Sequence, residues 1–140
     1  MKFSVSEISD LIKSRRTIYP KDYTDREVHR EIIERVLTNA SWAPTHGMTQ
    51  PWRFTVFTGE ARKRLSDFLG QEYTRSTPVE KFLQRKFENL TQRPLQSSVV
   101  VAIGMARDPQ GKINERDELL AVACAVQNMH LTCTAYGLGA

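Results

Sequence analysis

Apolar residues recur at helical spacing along most of this chain and form strand-like runs in two places. Ser4-Val-Ser-Glu7 has the spacing of a capping box, and Val5, Ile8, Leu11 and Ile12 share one face behind it. The pattern predicts a first helix that fades at Arg15-Arg16-Thr17 and that Pro20 cannot continue. Thr24-Asp-Arg-Glu27 repeats the capping spacing and predicts a second helix with Val28, Ile32, Ile33, Val36 and Leu37 inward, ended by Ala43-Pro44. Thr45 to Pro51 reads as loop, and Arg53 to Phe57 alternates as a strand does. After Thr58-Gly59, Leu65, Phe68 and Leu69 mark a third helix. Thr77-Pro78-Val-Glu80 then opens a fourth, carrying Val79, Phe82, Leu83, Phe87 and Leu90 and closing before Pro94. Ser98 to Met105 is continuously apolar, as a strand buried on both faces is. Beyond an Asp108-Pro-Gln-Gly111 turn, Glu115 to Tyr136 forms the last helix, apolar over most of its circumference and stopped by Gly137 and Gly139. Such a helix is expected deep in a domain or at a subunit interface.

Five helices and two strands leave more apolar helix surface than two strands can cover. Either the domain is largely helical or further strands follow Ala140; the second reading is favoured. With 140 residues, 40% hydrophobic and 26% charged, the composition is that of one globular domain spanning 1–140, without repeats or linkers. The net charge of +4 is spread over small clusters such as Arg62-Lys63-Arg64, so a basic tail for nucleic acid is not expected. The longest apolar run, Val99 to Ile103, falls far short of the roughly 18 residues of a membrane span. The N-terminal residues do not read as a secretory signal. The two cysteines, Cys124 and Cys133, lie on one predicted helix about 13 Å apart, beyond disulfide reach. A cytoplasmic protein with reduced thiols and no membrane contact is expected.

Two segments offer chemistry. Arg15-Arg16-Thr17, at a helix-to-loop junction, supplies two guanidiniums and a hydroxyl suited to a phosphate; equally, cations there would offset the helix dipole. Ala43-Pro-Thr-His-Gly-Met-Thr-Gln-Pro-Trp52 joins a helix to a strand, and Thr45, His46 and Gln50 could donate to a ring carbonyl or a phosphate. The bland account is a helix stop followed by a strand entry. His130 and Cys133 have helical spacing, but no second pair completes a metal site, and none is expected. The acidic run Asn114-Glu-Arg-Asp-Glu118 suits a helix N-terminus through the dipole alone. No nucleophile motif or P-loop pattern occurs, so no side chain is assigned a catalytic role and the chemistry is left to a bound cofactor.

Taken in order, Arg-Arg-Thr after the first helix, Ala-Pro-Thr…Gln-Pro-Trp before a strand, and an apolar helix with Gln127-Asn128 ending in Gly-Leu-Gly resemble the nitroreductase family of FMN-dependent oxidoreductases. Thr45-His46-Gly-Met48 resembles its short, single-domain subgroup. The resemblance implies an α+β fold with a mostly antiparallel central sheet flanked by helices, the C-terminal part of which would lie beyond this sequence. It implies an intertwined homodimer with FMN at the interface and hydride transfer from NAD(P)H to nitroaromatic, quinone or related acceptors by a ping-pong mechanism. By the same resemblance Arg15, Arg16 and Thr17 would hold the FMN phosphate and ribityl chain. Thr45 and His46, contributed by the other subunit, and Gln50 would lie along the isoalloxazine or ribityl, and Gly139 and Ala140 would approach the phosphate. Two positions depart from the family pattern: Met48 stands where many members have Asn, and Tyr19 where many have Lys or Arg. Other flavin reactions on this fold (reductive dehalogenation, flavin fragmentation) and a non-catalytic flavin- or nucleic-acid-binding module are the alternatives.

Overall fold

The computed structural model describes residues 3–140. The elements run α1 (Val5–Ser14), α2 (Arg30–Ala40), β1 (Trp52–Thr58), α3 (Glu60–Ser76), α4 (Gln84–Gln96), β2 (Val99–Met105) and α5 (Glu115–Ala135). Short 3-10 turns occupy Pro20–Asp22, His46–Met48 and Val79–Lys81. The arrangement is the expected α+β one. β1 and β2 pair as a two-stranded sheet, with the Ala106 N–H on the Pro51 carbonyl at 2.8 Å and Gly104 against Arg53, the register of an antiparallel pair.

The chain divides into two compact units. The first, residues 3–19, 29–54 and 103–140 of those described, is built on α2 packed against α5, with α1 also touching α5. Ala40 and Ala125 are wholly buried, and such small side chains let helix axes approach closely. Three polar side chains then fix the contact. Asn39 Nδ2 donates to Thr132 Oγ1 (3.0 Å), Asn128 Nδ2 to the Asn39 carbonyl (3.1 Å), and Thr132 Oγ1 to the Asn128 carbonyl (2.8 Å). Of the expected capping box of α1 only the N-cap half forms: Ser4 Oγ accepts the Glu7 N–H at 3.3 Å, and the exposed Glu7 side chain makes no return bond among the described residues. The stop of α5 is a Schellman turn: Leu138 N–H reaches the Cys133 carbonyl at 2.9 Å, with Gly137 left-handed at φ +67°.

The second unit, residues 20–28 and 55–102, is built on α3 against α4. Gly70 makes the close approach: a Cβ there would stand 2.9 Å from Thr91 Cγ2. Tyr73, Phe82 and Phe87 stack in tilted pairs with centroids 5.1 and 5.9 Å apart. The Tyr73 hydroxyl accepts the Leu83 N–H at 3.0 Å, and Ser66 Oγ donates to the Thr91 carbonyl at 2.6 Å.

Several expected boundaries move. The Thr24 capping box does not start α2, whose N-cap is His29. Thr24, Asp25, Arg26 and Glu27 are all exposed, so an extra turn would bury nothing to offset its ordering. Thr77–Glu80 likewise gives only a 3-10 turn, with Val79 92% exposed, and α4 begins at Gln84. Pro94 lies inside α4 rather than after it, in the last turn, where only one ladder bond is lost and the buried ring packs instead. β2 is not buried on both faces; Ala102, Ile103 and Gly104 are exposed. α5 buries one stripe (Ala121, Val122, Ala125, Met129) while Leu119 and Leu120 remain 58% and 55% exposed. Both cysteines are free, and burial pushes the Cys133 thiol up.

Candidate functional site

All eight residues singled out by sequence belong to the first unit. They fall into two groups. Arg15 is the half-buried C-cap of α1, its N–H on the Leu11 carbonyl at 3.2 Å, and Arg16 and Thr17 follow on exposed, non-helical backbone. The Ile18 N–H donates to the Ala140 carbonyl at 3.2 Å, which brings Gly139-Ala140 beside the Arg-Arg-Thr segment from the opposite end of the sequence. Arg16 Nη1 donates to the carbonyls of Lys13 and, at 2.8 Å, Arg15. The guanidinium thus serves the helix end, the structural role open to it from sequence. Among the described residues neither Arg15 nor Arg16 is paired with a carboxylate, so both keep their charge for an anion.

The second group is the loop between α2 and β1. Gly47, Met48 and Gln50 are left-handed, at φ +59°, +55° and +43°. For Met48 and Gln50 this costs on the order of 1 kcal/mol each, so the surroundings must impose it. Thr45 and Thr49 do so. Thr45 Oγ1 accepts the Gln50 N–H (3.1 Å) and meets Thr49 Oγ1 (3.2 Å), which in turn donates to the His46 carbonyl (3.2 Å). Arg53 Nη1 donates to the Gln50 carbonyl at 2.9 Å. The Thr45 hydroxyl, expected along a cofactor, is used to close the loop. His46 Nδ1 lies 3.0 Å from Asp117 Oδ2 on α5, with side chains 65% and 43% exposed.

Two residues escaped the sequence reading, Asp117 and Glu118, both taken there as complements to the helix dipole. Glu118 is 1% exposed. Its Oε2 accepts Arg107 Nη1 at 2.5 Å and its Oε1 accepts the Asp108 N–H at 2.6 Å. Asp108 closes the same loop by accepting the N–H groups of Gln110 (3.1 Å), Lys112 (2.9 Å) and Ile113 (3.3 Å). Those backbone bonds, Gln110 foremost, hold its carboxyl below the usual range against an opposing desolvation. Ile113 then packs on Gly47, where a Cβ would lie 3.1 Å from Ile113 Cδ1. The missed signal was periodic: Glu118, Val122, Ala125 and Met129 follow the helical spacing of the buried stripe. No metal-holding cluster occurs among the described residues. An open groove of about 730 Å³ between α3 and α4 is lined by none of the eight residues singled out by sequence.

This geometry meets its relatives at the level of family. A family model, the nitroreductase family, matches residues 12–140, and the chain belongs to that family. Nitrobenzene nitroreductase of Ectopseudomonas oleovorans is 39% identical over 66 residues, 47% of this chain and 28% of that protein. The chain therefore spans well under half of that relative. A nitroreductase-like family protein of Bacillus cereus superimposes with a TM-score of 0.79 at 29% identity, covering 99% of this chain and 70% of the other. A protein assigned as a nitroreductase from Desulfovibrio desulfuricans, solved in complex with FMN, superimposes with a TM-score of 0.67 at 25% identity, covering 92% and 63%.

Proposed function

We propose that the protein is an FMN-dependent oxidoreductase that moves hydride from NAD(P)H to a nitroaromatic, quinone or related acceptor. The observation that carries this reading is the Ile18–Ala140 backbone bond, which joins Arg15, Arg16 and Thr17 to Gly139 and Ala140 in one place. The donor set fits a flavin mononucleotide: two carboxylate-free guanidiniums and the Thr17 hydroxyl for the phosphate, the Gln50 amide for neutral oxygens and, from a second copy, the His46 imidazole, whose Nε2 accepts in the neutral ring, for a flavin N–H or hydroxyl. A bound flavin would supply hydride uptake from the nicotinamide and its later return to the acceptor in a ping-pong sequence. The chain's own residues bind and orient. Arg16 would exchange the Lys13 and Arg15 carbonyls for phosphate oxygens, and the left-handed loop would hold Gln50 and His46 in fixed directions.

The same reading takes residues 1–140 as belonging to one family domain, which the match over 12–140, running through both units, supports. It also takes the protein as a homodimer. Val5, Ile8 and Ile12 on α1 and Leu119 and Leu120 on α5 are exposed apolar side chains of the kind a second copy covers. No helix among the described residues is long and apolar enough to cross a membrane. The test is titration of flavin-free protein with FMN. Each guanidinium–phosphate contact is worth about 1.5–3 kcal/mol where water is excluded, so Arg15→Ala and Arg16→Ala should each weaken binding by about tenfold or more. Unchanged affinity in both variants would remove the phosphate role. NADH or NADPH oxidation by the flavin-loaded protein with a nitro or quinone acceptor then separates an enzyme from a flavin carrier.

A further inference from the structure

We infer that Asp117 is a positioning residue for His46, fixing the ring so that a single imidazole nitrogen, Nε2, is offered to the flavin; this rests on the flavin-enzyme reading above. A carboxylate can only accept, so the Asp117 Oδ2 contact at 3.0 Å places the hydrogen on Nδ1. Nε2 has no partner among the described residues, and the side chain is 65% exposed. Nε2 is therefore the nitrogen left to meet a ligand.

An exposed contact between an imidazole and a carboxylate often contributes nothing. Here the surroundings give it a different standing. His46 opens a turn whose next residues, Gly47 and Met48, are left-handed and cannot relax without breaking the Thr45–Thr49–Gln50 network. Gly47 is pressed against Ile113, and Ile113 donates its N–H to Asp108. On the other side, the Asp117 N–H is held by the Asn114 carbonyl at 3.0 Å, and the neighbouring Glu118 is locked by Arg107 and the Asp108 N–H. Both ends of the His46–Asp117 contact are thus anchored by bonds that do not involve it. With both backbones held, the cost of setting the ring is confined to the two side chains, which favours one hydrogen bond fixing a ligand-binding group.

The experiment has two readouts on the full chain. Ring ¹⁵N shifts of His46, measured without flavin, report which nitrogen carries the hydrogen. FMN titration reports the consequence for binding. The wild type is expected to show Nδ1–H, and Asp117→Ala to lose that pattern. His46→Ala and Asp117→Ala should each weaken FMN binding by about fivefold, with the double variant no weaker than either alone. Asp117→Asn, whose side-chain oxygen still accepts, should restore most of the affinity. A wild-type ring without Nδ1–H overturns the inference. So do independent, multiplying losses in the double variant, or wild-type affinity in Asp117→Ala beside a loss in His46→Ala. If Arg15→Ala and Arg16→Ala weaken binding while His46→Ala and Asp117→Ala do not, the flavin reading stands and this inference falls. If the wild type binds no FMN, the flavin reading falls and takes the proposed role of Nε2 with it.

Discussion

The two units of this chain settle their helix contacts by different means. In the first, α2 and α5 meet through small residues, and their register is written in hydrogen bonds: Asn39, Asn128 and Thr132 at the seam, Glu118 with Arg107 and Asp108 at the head of α5. In the second, α3 and α4 meet chiefly through shape, Gly70 receiving Thr91 and Phe87 while Tyr73, Phe82 and Phe87 stack, with the bond from Ser66 Oγ to the Thr91 carbonyl as a buried polar tie. Apolar packing tolerates small slips, since many arrangements bury nearly the same area. A buried polar group does not, because a slip leaves it unpaired. Every candidate site residue lies in the unit whose helix seam joins side chain to side chain by hydrogen bonds.

The contrast is broken most severely at Glu118. Glu118→Ala strips Arg107 and the Asp108 N–H of their acceptor and empties a wholly enclosed position. We expect a loss of about 3 kcal/mol, read as a fall in the urea midpoint. A fall below about 0.5 kcal/mol would show that the clamp merely replaces solvent contacts. A smaller effect is expected in the second unit. Gly70→Ala would gain about 0.5–1 kcal/mol from helix propensity but force the new methyl against Thr91, whose hydroxyl is held by the Phe87 carbonyl at 3.0 Å. Overpacking of this kind costs about 1–3 kcal/mol, so a net loss near 1 kcal/mol is expected. Gly70→Ala with Thr91→Ser, which removes the clashing methyl, should recover it. A stabilised single variant would mean that the shape fit is loose.

The smallest expected effect sharpens the polar side of the comparison. The Asp108 carboxyl is held below its ordinary range by backbone N–H bonds, so its contribution to stability is complete above the ordinary carboxylate pKa of about 4. It fades as pH falls through the depressed value in the folded chain. Asp108→Asn should flatten that part of the acid limb and lower stability at pH 7 by the same modest amount, the two proteins converging at low pH. An acid limb of identical slope in both proteins would deny Asp108 any share in it.

Legibility in the sequence followed the same division. The apolar stripes located every helix and strand, because burial periodicity survives without knowledge of partners. The starts of α2 and α4 were misplaced for a related reason. Thr24-Asp-Arg-Glu27 and Thr77-Pro-Val-Glu80 are good local caps, but the turns they would open carry nothing to bury. In the loop, Thr45, His46 and Gln50 were visible as donors, whereas the left-handed backbone at Met48 and Gln50 was not, since neither side chain favours it locally. Asp117 and Glu118 looked like ordinary helix-start acids. Their separate tasks depend on residues 71 and 11 positions away, distances that local spacing does not report.

The hydrogen bond between the Ile18 N–H and the Ala140 carbonyl has a consequence for the order of folding. Nearly the whole chain intervenes between its two residues, and closing so long a loop yields nothing until α1 and α5 have already docked. Arg15, Arg16 and Thr17 can form from the first helix alone, but the cradle they share with Gly139 and Ala140 exists only when folding is complete. An anion held there would bind the folded form and not the unfolded one, so it would draw the folding equilibrium toward the native state by mass action. The Ile18 amide is accordingly a sensitive reporter of the last step to close and the first to open.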